Sequence, residues 1–155
     1  MNTKKQFCTF YLNNLLFGID VLDVQEIILP QEMTEIPLAP AAIHGLINLR
    51  GQVVTAIDLR TWLGFEPNNS GQASMNMVIR AEDDIVSFLV DSIGDVLEPA
   101  EEAFELPPKT LGENIKELLV GVYKLEHQLL LVMDTHKAVE LFAARFNNRQ
   151  MMTLE

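Results

Sequence analysis

Gly45-Leu-Ile-Asn-Leu-Arg-Gly-Gln-Val-Val-Thr-Ala-Ile-Asp58 is the stretch from which the fold is read. Successive side chains of a strand alternate between faces, so Leu46, Asn48 and Arg50 share one face and Ile47 and Leu49 the other. Gly51-Gln52 is read as the turn, and Val53 to Ile57 is β-branched enough to be the return strand. Asp58 then falls where a helix N-cap belongs, ahead of Leu59-Arg60-Thr61-Trp62-Leu63 and a terminating Gly64.

The pattern recurs 76 residues on, where Gly121-Val-Tyr-Lys-Leu-Glu-His-Gln-Leu-Leu-Leu-Val-Met-Asp134 aligns without a gap. Gly45 matches Gly121, Leu49 matches Leu125, Gln52 matches Gln128 and Asp58 matches Asp134. The copies differ where side chains face outward, Arg50 against Glu126 and Gly51 against His127. A shared core register with divergent surface chemistry predicts one folding unit used twice for different contacts.

The flanking segments repeat as well. Gln6 to Leu12 alternates Cys8, Phe10 and Leu12 against Phe7, Thr9 and Tyr11, and Asn13-Asn14 turns it into Leu15–Asp20. Met75 to Ala81, a turn at Glu82-Asp83-Asp84 and Ile85 to Val90 form a second such hairpin, with Phe88-Leu-Val-Asp91 echoing Phe17-Gly-Ile-Asp20 at an offset of 71 residues. Asp20 to Leu29 reads as a short helical turn running into a strand, after which Pro30, Pro37 and Pro40 break the chain. The stretch Glu66 to Ser74 is the predicted junction of the halves, and Glu98 to Asn114 an acidic, proline-broken excursion. After Asp134, Val139, Phe142, Ala143 and Phe146 make the apolar stripe of a C-terminal helix capped by Asp134 or Thr135. One domain over 6–146 is expected, followed by a frayed tail at 147–155.

Composition narrows the function. A formal charge of -11 argues against nucleic acid and anionic membrane surfaces, both of which need a basic footprint. No apolar stretch approaches the roughly 20 residues that span a bilayer, so no direct membrane insertion is expected. Cys8 is the lone cysteine, which excludes an intrachain disulfide, fits a reducing cytoplasm and reads as a small buried apolar residue. The candidates for chemistry are His44, His127 and His136. No paired-cysteine spacing, no His-x-x-x-His pair, no Gly-x-Ser-x-Gly elbow and no Gly-rich phosphate cradle accompanies them. Glu126 and His127, adjacent on a presumed strand, would point apart and could not share an ion. No catalytic residue, metal or cofactor is therefore expected. From Gln6 to Ile79 the only basic residues are Arg50 and Arg60, against seven carboxylates. A lone guanidinium in an acidic half predicts a partner, in the fold or outside it, and for Arg50 an internal one would be Asp20, Asp23 or Asp58.

Three runs then carry a resemblance: Phe17-Gly-Ile-Asp-Val-Leu-Asp-Val-Gln-Glu-Ile27; Pro37-Leu-Ala-Pro40; and Gly45-Leu-Ile-Asn-Leu-Arg-Gly51 with Val53-Val54 and Ile57-Asp-Leu-Arg60. With Val90-Asp-Ser-Ile-Gly-Asp-Val96 and Gly121 to Leu131, the chain resembles the CheW family of chemotaxis adaptors over nearly its whole length. The resemblance implies an all-β protein with short helices: two five-stranded SH3-like barrels sharing a hydrophobic core, plus a C-terminal helix. It implies that the two barrels are intertwined subdomains of one domain, and a non-catalytic cytoplasmic adaptor joining methyl-accepting chemoreceptor tips to the regulatory domain of a CheA-type histidine kinase. That kinase domain, of the same family, would meet the adaptor end to end, and the receptor tip would lie in the groove between barrels. Carried over position by position, the receptor- or kinase-binding residues would be Val24, Glu26, Gly45, Arg50, Met77, Val78 and Val96. Met77 stands where a β-branched residue is common, and Thr55 where the family usually has Pro. The competing readings are the same role in a non-flagellar pathway, such as type IV pilus twitching, and a small-ligand or metal sensor built on the groove and the three histidines.

Overall fold

Residues 5–67 and 74–144 are described by the structure, a computed structural model. In chain order they form β1 (Phe7–Leu12), β2 (Leu15–Asp20), a 3-10 turn (Val21–Asp23), β3 (Val24–Ile28), β4 (Ile43–Leu49), β5 (Gln52–Asp58) and α1 (Leu59–Trp62). The second half follows with β6 (Met75–Ala81), β7 (Asp84–Val90), β8 (Ser92–Leu97), β9 (Phe104–Glu105), α2 (Glu113–Lys116), β10 (Leu119–Lys124), β11 (Leu129–Met133) and α3 (Thr135–Phe142).

The hairpins follow the alternation. Asn13 and Asn14 join β1 to β2 with φ of 51° and 66°, the left-handed pair that matches strand twist and that asparagine tolerates. The β4–β5 turn is Arg50–Gly51, not Gly51-Gln52: Leu49 pairs with Gln52, and Arg50 and Gly51 take φ of 51° and 86°. The Asn48 side-chain oxygen accepts from the Gly51 N–H at 2.9 Å and holds the turn. Arg50 thus crowns a turn instead of lying on the face of Leu46 and Asn48. Asp84 likewise belongs to β7, leaving Glu82–Asp83 as the turn.

The strands assemble into a six-stranded sheet, β8-β1-β2-β11-β10-β9, and a five-stranded one, β3-β6-β7-β5-β4. The halves are interwoven. After β2 the chain leaves the first sheet, and β3 pairs with β6 of the second; after β7 it returns, and β8 pairs with β1. The chain therefore changes sheet at Val21–Asp23 and at Asp91, whereas most of the 66–74 junction lies outside the described residues. So do Phe146 of the helical stripe and the tail at 147–155.

Each sheet is rolled shut by one bent segment that pairs at both of its edges. Residues 24–34 pair with β6 and then, through Thr34, with Leu46 of β4. Residues 92–105 pair with β1 and then, through Glu105, with Val122 of β10. Closure removes edges that would otherwise offer unpaired backbone groups. The match between copies reaches single hydrogen bonds: Asp58 N–H donates to Ala42 O and Asp134 N–H to Leu118 O, both at 2.7 Å. Gly45 and Gly121 permit the closure. A Cβ on Gly45 would sit 2.8 Å from Thr34 O, and one on Gly121 2.8 Å from Glu105 O.

One continuous core joins the two sheets, with Phe10 and Phe17 from the first and Ile57, Met77 and Phe88 from the second all wholly buried. Phe10 and Phe17 stack at 5.5 Å. The two faces of β1 serve different clusters, Cys8, Phe10 and Leu12 entering this core and Phe7 a smaller one with Leu16, Tyr123 and Leu130. Cys8 is a core residue, and burial, then the Asp20 charge, push its thiol pKa up. Trp62 packs on the same core 6.1 Å from the Phe142 ring.

Asp58 and Asp134 cap α1 and α3, accepting from the N–H groups of Thr61 at 3.3 Å and Lys137 at 3.1 Å. Replacing either aspartate with alanine is expected to cost about 1 kcal/mol. The two losses should add in urea unfolding of the double variant, because the caps belong to separate turns.

Candidate functional site

β3 runs along the rim of the five-stranded sheet, and the Arg50–Gly51 turn projects from the same closed sheet. Closure brings the two together. Arg50 Nη2 donates to Glu26 Oε2, and the guanidinium side chain stays 68% exposed while the carboxylate is 24% exposed. The Glu26 hydrogen bond and charge raise the Arg50 pKa above its ordinary value. Of the two alternatives, a partner in the fold or outside it, the structure shows an internal one. That partner is Glu26, another predicted contact residue, and not Asp20, Asp23 or Asp58. A bulge at Gln25 interrupts the β3 register between Val24 and Glu26. It lets Val24 pack on the main core and Ile28 on the smaller cluster of Ile47, Leu49, Val54 and Val78. Gln25 faces out and accepts from Arg80 Nε and Nη2 at 3.1 and 2.9 Å. Glu26 is thus held from both ends, by a pinned strand and by the turn above it.

Arg60, the other isolated cation of the first half, makes a bidentate pair with Asp91, Nε to Oδ1 at 2.6 Å and Nη2 to Oδ2 at 2.8 Å. Asp91 Oδ2 also accepts from the Asn13 N–H at 2.9 Å. This carboxylate ties α1, the chain crossing between sheets and the β1–β2 turn. Burial pushes the Asp91 carboxyl up, but the hydrogen bonds from Arg60 and Asn13 outweigh it and hold its pKa below the ordinary value.

The remaining predicted contacts separate by exposure. Val96 is 56% exposed, on β8 opposite Cys8 in the six-stranded sheet and so on a different sheet from Glu26 and Arg50. Met77 and Val78 are 0% exposed and cannot touch a partner directly. They sit beside β3 in the ladder, opposite Ile27 and Glu26, and position the rim from within. Gly45 is buried beneath Thr34 and supports the same rim by allowing closure. The alternation hid this because β6 is packed on both faces, Met77 in the main core and Val78 in the smaller cluster. Val53 and Ile27, not singled out in the sequence, expose apolar surface on the five-stranded sheet. Two adjacent valines, Val53 and Val54, gave no sign of which would face out.

The histidines are dispersed. Glu126 and His127 lie in a turn, not on a strand, 3.7 Å apart at its exposed tip, and His136 is 3.8 Å from Asp23. Among the described residues no group of three or more His, Cys, Asp or Glu is placed to hold a metal ion. No helix among them is long and apolar enough to cross a membrane.

Comparison with known proteins agrees with this architecture. The CheW-like domain family matches residues 6–142. Chemotaxis protein CheW of Treponema pallidum is 32% identical over 136 residues, covering 85% of this chain and 80% of that protein. Chemotaxis protein CheW of Klebsiella aerogenes is 32% identical over 133 residues, covering 86% and 80%. The crystal structure of the scaffolding protein TtCheW from Thermoanaerobacter tengcongensis superposes with a TM-score of 0.77 at 26% identity, covering 86% of this chain and 91% of that one. The family match runs from β1 to the end of α3 and two relatives share about a third of their residues with it, so the chain belongs to the CheW-like family.

Proposed function

We propose that this protein is a non-catalytic cytoplasmic adaptor that couples chemoreceptor cytoplasmic tips to the regulatory domain of a CheA-type histidine kinase. Membership of a family whose relatives are named as chemotaxis and scaffolding proteins supports the reading. The observation that carries it is the Glu26–Arg50 pair on the rim of a closed barrel. An arginine at φ of 51° holds a conformation that L side chains enter at a cost of roughly 1 kcal/mol, which favours a use for its side chain over a purely architectural turn. Exposed Val53 and Ile27 add apolar area to this sheet, and Val96 marks the corresponding strand of the other sheet as a second contact face. Two unlike faces on one duplicated frame are what a protein with two neighbours requires.

Titration calorimetry with a kinase regulatory domain and with a receptor-tip fragment should give saturable binding; absence of both would end this reading. Arg50→Ala is expected to weaken one of the two at least about tenfold, more so at low salt, with the melting temperature little changed. Exchanging the charges, Glu26→Arg with Arg50→Glu, separates two roles. Restored binding means that the pair only shapes the rim; binding still lost means that a partner reads the guanidinium.

A further inference from the structure

We propose that the cleft between the β3-proximal crossing and the end of β10 binds a small organic cation with N–H donors, an alkylammonium or alkylguanidinium group. The cleft has a volume of about 420 Å³. Its walls combine two chemistries. Phe7, Phe104 and Tyr123 supply aromatic surface, with Tyr123 at the centre, 5.7 Å from the Phe7 ring and 5.2 Å from the Phe104 ring. Asp20, Asp23, Glu101 and Asp134 supply carboxylates, against which stand, among the described residues, Lys5 and the imidazole of His136. Aromatic faces attract cations through their quadrupole, and carboxylates in the lining add charge and hydrogen-bond acceptors. The N-terminus of α3 also reaches the cleft, but the Asp134 carboxylate caps it and offsets its positive end.

A separate observation asks for a ligand. Thr135, 2% exposed, lines this cleft, and its hydroxyl has no hydrogen-bond partner among the described residues. A buried polar atom left unpaired is costly, and an ammonium or guanidinium N–H would satisfy the free lone pairs. Among the described residues of the lining an anion would find one lysine and four carboxylates.

The duplication supplies an internal comparison. The matching cleft of the other sheet is lined by Pro30, Met33, His44 and Asp58 where this one has Glu101, Phe104, Val120 and Asp134. Ile47 occupies the place of Tyr123. That copy keeps the capping aspartate but has neither the aromatic wall nor the Glu101 carboxylate, so the cation chemistry belongs to one copy alone.

The test is titration calorimetry of the full chain with agmatine at low ionic strength, and with N-acetylarginine amide to separate a free cation from a peptide side chain. Saturable one-to-one binding of either compound is expected, and the tighter of the two identifies the source. Thr135→Val should weaken it about tenfold, the loss of one buried hydrogen bond to a charged group, and Glu101→Gln about fivefold. Tetramethylammonium, which has no N–H, should bind about tenfold more weakly to the wild type and equally to Thr135→Val. Glu35→Gln, in the matching cleft, should leave binding unchanged. No saturable heat up to about 10 mM of either compound overturns the proposal. So does equal affinity in Thr135→Val and Glu101→Gln variants that melt like the wild type, or a loss of binding in Glu35→Gln.

Discussion

Gly45→Ala is expected to destabilise the protein by roughly 3 kcal/mol, lowering the melting temperature by about 6–12 °C. The added Cβ would lie 2.8 Å from Thr34 O and 3.1 Å from Met33 Cβ. The first neighbour is backbone and cannot swing away. It is also half of the closing bridge, since Leu46 N–H donates to Thr34 O at 2.8 Å and Thr34 N–H to Leu46 O at 2.9 Å. Room for a methyl group therefore comes only from parting the strand that shuts the barrel. Gly121→Ala meets the same obstacle at Glu105 O, with the Phe104 ring closer still. Gly51→Ala is the control: its φ of 86° carries conformational strain but nothing lies within 4 Å, so a smaller loss of about 1 kcal/mol is expected. Thermal unfolding of the three variants checks the ranking. Partner binding by Gly45→Ala should fall only as folding does. A variant that melts normally and no longer binds would instead return Gly45 to the contact surface.

Breaking the Arg60–Asp91 pair should cost about 2 kcal/mol in either Arg60→Ala or Asp91→Ala, between the values for exposed and fully buried pairs. Both side chains are mostly buried, at 15% and 17% exposure, and each variant strands a charge at the crossing between sheets. The pH dependence follows from the lowered Asp91 pKa. A carboxylate depressed in the folded state contributes its full stability above the ordinary unfolded pKa of about 4, and loses it as pH falls through the lower folded value. The gap in urea midpoint between the wild type and Asp91→Asn should accordingly be constant near neutrality and close in acid. A gap that persisted unchanged well below about pH 3 would mean that packing, not charge, holds the crossing.

The partner of each lone guanidinium shows where local reasoning stops. That Arg50 and Arg60 would have partners, in the fold or outside it, was legible from their isolation among carboxylates. The identity of the partners was not, because Glu26 reaches Arg50 only after the sheet closes, and Asp91 reaches Arg60 from the other half of the chain. Met77 and Val78 make the same point for burial. Alternation assigns a residue to a face but does not say whether that face is covered, and on β6 both are. β9 escaped notice because two residues inside an acidic, proline-rich stretch carry no period, yet they complete the closure of their sheet.

By itself the amino-acid order determined the hairpins, the Asn13-Asn14 turn, the capping aspartates, the place of Cys8 in the core and the duplication at an offset of 76 residues. All of these depend on φ preferences, side-chain period and capping groups within a few residues. Tertiary structure alone decided which strands the halves exchange, that Thr34 and Glu105 shut the barrels over two glycines, and that Glu26 and Arg50 meet on a rim. These are contacts between segments far apart in sequence. Their free energy comes from burying both faces of a strand at once, and no local pattern encodes which distant strand will do the covering.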